Sequence, residues 1–109
     1  MAAGRGDPLW NAFVGAMLRS GHADERRSRF GDKPALFVAD REVAHLEGPG
    51  VIDLRITSAG WSQAKSRYGD DPAVHRDPSR RDWIEIHLGS RADLRRLRDL
   101  LAIAMAANV

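Results

Sequence analysis

A chain of 109 residues with 43% apolar content and no cysteine has room for one hydrophobic core and not two. That composition excludes a disulfide framework, a thiol nucleophile and a thiolate metal site, and no stretch reaches the roughly 18 apolar residues of a membrane span. The pI of about 9.7 overstates the basic character: 17 Lys and Arg face 15 Asp and Glu for a net charge of +2. All but Lys33 and Lys65 of the basic groups are arginine, which holds its proton to very high pH.

Residues 1–6 are small and Gly-rich and read as a frayed end. Arg5-Gly6-Asp7 is the adhesive tripeptide, but Asp7 has a plainer use as helix N-cap ahead of Pro8, whose missing N–H costs nothing in the first turn. Leu9, Trp10, Phe13, Val14, Met17 and Leu18 then recur at helical spacing, with Gly21 as the stop. This apolar run lacks a convincing cleavage site, so no signal peptide is expected, and the default location is the cytoplasm.

A short edge strand is expected near Arg27–Phe30, followed by turn chemistry at Gly31-Asp32-Lys33-Pro34 and a strand over 35–39. The clearest pattern is the hairpin of residues 41–57. It turns first near Asp40-Arg41, runs through Val43 to Leu46, closes at Glu47-Gly48-Pro49-Gly50 and returns over Val51–Thr57. Ile52, Leu54 and Ile56 share one face of the return strand; Asp53, Arg55 and Thr57 share the other. Ser58 is placed as cap of a second helix carrying Trp61, Ala64 and Tyr68, ending at Gly69.

Val74–Arg76 is a brief strand, and Asp77-Pro78-Ser79 turns into a strand over 82–88. Ile84, Ile86 and Leu88 lie on one side of it, Trp83, Glu85 and His87 on the other. Ser90-Arg91-Ala92-Asp93 resembles a capping box for a last helix with Leu94, Leu97, Leu101, Ala104 and Met105 on one stripe. Runs of adjacent strands with few helices predict an α+β fold: a single domain over 1–109, with a mainly antiparallel sheet and the three helices packed on one of its faces.

The face opposite those helices carries the candidate chemistry. Alternation places His45 (with Val43), Asp53, Arg55, Trp83, Glu85 and His87 on it. Arginine offers a planar fork for carboxylate or phosphate, tryptophan a stacking wall, and a carboxylate can orient a histidine that titrates near neutrality. The plain alternative is a solvated face with ordinary cross-strand charge pairs.

The leading reading is a non-enzymatic binding module that uses this open face for a small molecule or a protein partner. The alternative is a small acid–base enzyme using His45 or His87 with Asp53 or Glu85; the second alternative is a weak nucleic-acid binder. Nucleic acid is disfavoured because Arg76, Arg80 and Arg81 are interleaved with Asp77 and Asp82 in a solvated loop. His22, His45, His75 and His87 show no ligand spacing, and there is no P-loop, GxGxxG or GxSxG, so neither metal nor cofactor is expected. Trp10 and the apolar end of the last helix leave room for a homodimer.

Arg41-Glu42-Val43-Ala44-His45 with Gly50 and Asp53-Leu54-Arg55-Ile56, and later Asp82-Trp83-Ile84-Glu85-Ile86-His87-Leu88 running into Ser90 and Asp93, resemble the small luciferase-domain family over residues 28–106. That family implies no established activity and no light emission. Its motif positions fall on Glu42, His45, Asp53 and Trp83. A looser similarity is to the MmcQ/YjbR-like α+β proteins, some suggested to bind DNA, from which this chain departs in its scarcity of lysine.

Overall fold

In the computed structural model, which describes residues 8–19, 23–28, 31, 33–89 and 93–108 (the side chains of 9 and 16 excepted), three helices pack against a six-stranded sheet. The elements run α1 (Pro8–Arg19), β1 (Asp24–Arg27), β2 (Pro34–Val38), β3 (Arg41–Gly48), β4 (Val51–Arg55), α2 (Thr57–Tyr68), β5 (Val74–Arg76), β6 (Trp83–His87) and α3 (Leu94–Ala107). The sheet order is β1-β2-β3-β4-β6-β5. Every pairing between these strands is antiparallel. This is the α+β architecture that the sequence predicts.

One face of the sheet and one stripe of each helix form the core. Leu36, Ala44, Leu46, Ile52, Leu54, Ile84 and Ile86 come from the strands; Trp10, Phe13 and Val14 come from α1, Ala64 from α2, and Leu94, Leu97, Leu100, Leu101 and Ala104 from α3. At about 1.5–3 kcal/mol for each fully buried large side chain, this face is the main source of stability. Trp10 is wholly inside it, with its indole N–H donating to Glu25 at 3.0 Å. Leu100 and Leu101 of α3 are buried as well.

Two connections differ from their expected positions, each for a local reason. The β2–β3 turn falls one residue early, on Ala39 and Asp40, both at positive φ (50° and 66°). That pair of conformations matches the twist of a two-residue hairpin. The β4 strand ends at Arg55, and Thr57 takes over the cap expected of Ser58. Thr57 Oγ1 accepts the Gly60 N–H at 3.1 Å, while the Ser58 N–H goes to Asp82 Oδ1 at 3.2 Å. Thr57 sits at φ 67°, a costly region for a β-branched residue, and its own N–H is held by Asp82 O at 3.0 Å. The start of α2 is thus pinned to the start of β6.

Gly50 closes the β3–β4 hairpin at φ +68°, and a Cβ there would stand 2.6 Å from Leu88 O. Leu88 in turn donates its N–H to Gly50 O at 2.7 Å, so only glycine fits both the turn and this contact. The edge strand forms over 24–27, ahead of its expected place at 27–30, and residues 29 and 30 lie outside the described set. Asp7, Gly21, Ser90 and the adhesive tripeptide also lie outside it.

Candidate acid–base site

The sheet register builds a row of polar groups across the face turned away from the helices. His45 of β3 pairs with Asp53 of β4, Asp53 with Glu85 of β6, and Glu85 with His75 of β5. Residues directly opposite one another share a face, so the period of two alone lines these four side chains up. The strands of Asp53 and Glu85 are neighbours.

β3 is not a regular strand, and its irregularities surround His45. Its register with β2 slips between Leu36↔Ala44 and Phe37↔Glu42, leaving Val43 as an extra residue. Its register with β4 slips between Leu46↔Ile52 and Gly48↔Val51, leaving Glu47 as another. Bulges of this kind bend a strand and re-aim its side chains. The first sends Val43 into the core, where it is fully buried, instead of beside His45 as alternation predicts. It also carries Glu42 to the His45 side.

The result is an imidazole enclosed by acids. His45 Nδ1 lies 2.9 Å from Glu42 Oε2, off the ring N–H axis, so this is an ion-pair contact more than an aligned hydrogen bond. Glu42 Oε2 also accepts the Ser28 hydroxyl at 2.7 Å. On the other side, His45 Nε2 is 3.0 Å from Asp53 Oδ2 and 3.1 Å from Glu47 Oε2. The His45, Glu42 and Asp53 side chains are only 7%, 4% and 3% exposed, whereas that of Glu47 is 51% exposed.

Burial alone would push the His45 imidazole towards its neutral form. The hydrogen bond to Asp53 and the charges of Asp53, Glu42 and Glu47 outweigh it, so its pKa is raised above the ordinary 6.5. Burial likewise works to raise Asp53, but hydrogen bonds from His45 and Arg80, with their charges, bring it below the usual 3.8. Both shifts describe one event: an imidazolium and a carboxylate stabilise each other where little water reaches either.

Beside this pair is a cleft of about 260 Å³ lined by His45, Glu47, Asp53, Arg80 and Trp83. Trp83 of β6 tilts towards the imidazole, with ring centroids 5.3 Å apart. Arg80, from the turn between β5 and β6, donates through Nη2 to Asp53 Oδ2 at 2.9 Å. A second hollow of about 240 Å³, holding His75, Asp77 and Glu85, shares Arg80 and Trp83 with the first.

Of the residues that the sequence singled out, His45, Asp53 and Trp83 meet at the cleft. Glu85 and His87 pair with each other at 2.7 Å on the exposed part of the face. The His87 ring meets His75 edge-on at 4.7 Å between centroids. Arg55 turns away from the cleft: it pairs with Asp82 at 3.3 Å, and both its side chain and its carbonyl hold Asn108 at the end of α3. Its part is structural. The centre of the face is also not the solvated surface of the plain alternative, since Glu42, His45 and Asp53 are buried there.

Glu47 and Arg80 are the site residues that the sequence did not single out, and Glu42 came only from the luciferase-domain resemblance, not from alternation. Glu42 did leave a signal. Strict alternation would put it on the core face with Ala44 and Leu46, and a carboxylate in that register is a reason to suspect a bulge. Arg80 left none, because nothing local distinguishes it from Arg76 and Arg81. Arg76 in fact lies on the helix side, over the Trp61 ring at 5.6 Å.

The ligand atoms of His45, Glu47 and Asp53 all lie within 4.8 Å of one another, a set of one nitrogen and two oxygens that suits a divalent ion. Here His45 Nε2 is at hydrogen-bond distance from both carboxylates, and the Arg80 guanidinium is on Asp53.

No family model, curated protein or solved structure matches the chain. The luciferase-domain resemblance therefore gains no support from these comparisons. Among the described residues no helix is long and apolar enough to cross a membrane.

Proposed function

We propose that the chain is a small acid–base enzyme in which His45 carries the proton and the cleft beside it takes the substrate. The observation behind this reading is that carboxylates stand against both ring nitrogens of a buried histidine: Glu42 at Nδ1, and Asp53 and Glu47 at Nε2. Such a histidine keeps its proton to higher pH than an ordinary imidazole and acts as a general acid, with Nε2 on the side of the residues that line the cleft.

Each neighbour has a separate task. Glu42, fixed by Ser28, stands at Nδ1 and adds its charge to that of Asp53. Asp53 stabilises the charged form. Glu47, half-exposed at the rim, is placed to pass protons between His45 and solvent. Trp83 supplies the apolar wall against which a substrate stacks. A positioned acid of this kind contributes about 10²–10⁴-fold to a proton-transfer step.

Titration of the His45 ring by NMR tests the reading, in the parent chain and in Asp53→Asn. A pKa above 6.5 that falls in the variant supports it. A ring that titrates at its ordinary value in the parent chain overturns it.

A further inference from the structure

The acid–base cleft has a cationic occupant supplied by the chain itself. Arg80 rises from the turn of residues 77–82, which is closed by the Arg80 N–H on Asp77 O and the Trp83 N–H on Arg80 O, both at 2.9 Å. Its guanidinium meets Asp53 Oδ2 at 2.9 Å and stands 5.8 Å from the centre of the Trp83 ring. A carboxylate below and an indole face beside it are the two partners that an organic cation seeks. Yet the Arg80 side chain is 41% exposed, while that of Asp53 is 3% exposed. A solvent-facing side chain from a surface turn thus covers a buried carboxylate.

The contact is also incomplete. A guanidinium can engage both oxygens of a carboxylate as a fork, but Arg80 reaches Asp53 through one nitrogen. Asp53 Oδ1, buried and on a residue that lines the cleft, has no hydrogen-bond partner among the described residues. Charge points the same way. Glu42, Glu47 and Asp53 surround the site, against His45 and Arg80. When Arg80 swings out, three carboxylates face one histidine, a field that attracts cations and repels anions.

We infer that the ligand of this cleft is an organic cation, an ammonium or guanidinium carried on a flat apolar group, and that Arg80 is the displaceable side chain that occupies its place. This rests on the acid–base reading of the cleft and names the substrate class for it. The cationic end takes the carboxylate edge formed by Asp53 and Glu47, and the flat group lies on Trp83. The atom that exchanges a proton with His45 then lies between them. A bare metal ion would answer the charge but has no use for the indole wall.

The test is an NMR titration of the parent chain, Arg80→Ala and Arg80→Gln with benzamidine, benzoate and zinc chloride, followed on the Trp83 indole N–H and the His45 ring. Benzamidine is expected to shift both signals to saturation and to bind several-fold more tightly to both Arg80 variants than to the parent. Benzoate is expected to shift neither. Tighter binding of benzoate than of benzamidine, loss of benzamidine binding in the Arg80 variants, saturation by zinc alone, or no response to benzamidine in any chain would each overturn the inference. The His45 titration separates the two proposals. An ordinary His45 pKa with intact benzamidine binding removes the acid–base reading only, and a raised pKa without benzamidine binding removes the cation only.

Discussion

Two histidine–carboxylate contacts lie on the same sheet face, and in sequence they are hard to tell apart. His45 meets Asp53 at 3.0 Å across a strand pair, and His87 meets Glu85 at 2.7 Å along one strand. The shorter contact is the less consequential one. His87 and Glu85 are 45% and 37% exposed, so water screens their attraction and competes for both groups. His45 and Asp53 are almost wholly buried, with Glu42 behind the ring. Distance alone does not make a site; the surroundings determine what a contact is worth.

The largest expected effect comes from removing one histidine at a time. His45→Ala leaves Glu42 and Asp53 buried without their common counter-charge, and a loss of about 3–5 kcal/mol is expected. His87→Ala should cost at most about 1 kcal/mol. Urea unfolding of the two variants measures both, and equal losses would erase the distinction between the contacts.

A double-mutant cycle sharpens it next. Coupling between His45 and Asp53 should reach about 2–3 kcal/mol, against about 0.2–1 kcal/mol for His87 and Glu85. The second coupling should also fade in 1 M salt, where the Debye length is only about 3 Å, while the buried one persists. A coupling for His45 and Asp53 as salt-sensitive as the exposed one would mean that water reaches the pair.

Acidity gives the third comparison. His45 has a raised pKa in the folded chain, so its contribution is complete below the ordinary 6.5 and is lost as pH rises through the folded value. Asp53 has a lowered one, so its contribution is complete above the ordinary 3.8 and is lost as pH falls through its folded value. Both are present together between those ordinary values, and the stability difference between the parent and a His45→Ala/Asp53→Asn double variant should be greatest there. A difference that does not vary with pH, followed by urea midpoints across the range, would contradict the pairing.

The smallest effect concerns Glu42→Gln. It keeps an acceptor for Ser28 and removes one of the charges on the ring, so the His45 pKa should fall by less than in Asp53→Asn. NMR titration orders the two variants, and the reverse order would make Glu42 the dominant partner.

Much of the fold was legible in the chain because it depends on short-range periodicity. Ile52, Leu54, Ile84 and Ile86 alternate and are all core; Leu94, Leu97, Leu101 and Ala104 repeat at helical spacing and are buried too. Boundaries were less legible where distant groups act on them. The start of α2 depends on Asp82, 25 residues after Thr57 in sequence, and the Gly50 turn on Leu88 O. Part of the site was legible by the same alternation, which puts His45, Asp53 and Trp83 on one face. Val43 was misplaced, and alternation would put Glu42 on the core face, because a one-residue bulge reverses the parity of everything beyond it.

The sequence by itself determined the alternation, the helical stripes and the turn residues, and with them an antiparallel α+β fold with His45 and Asp53 on the face away from the helices. Only the tertiary structure decided that this histidine is buried among three carboxylates while His87 stays in water. It alone decided that Arg80 reaches Asp53 and that Arg55 leaves the face for Asn108. The reason is physical. Periodicity of side-chain direction is a property of a few adjacent residues, whereas burial and charge balance at one atom sum over strands and loops that meet only when the sheet is complete.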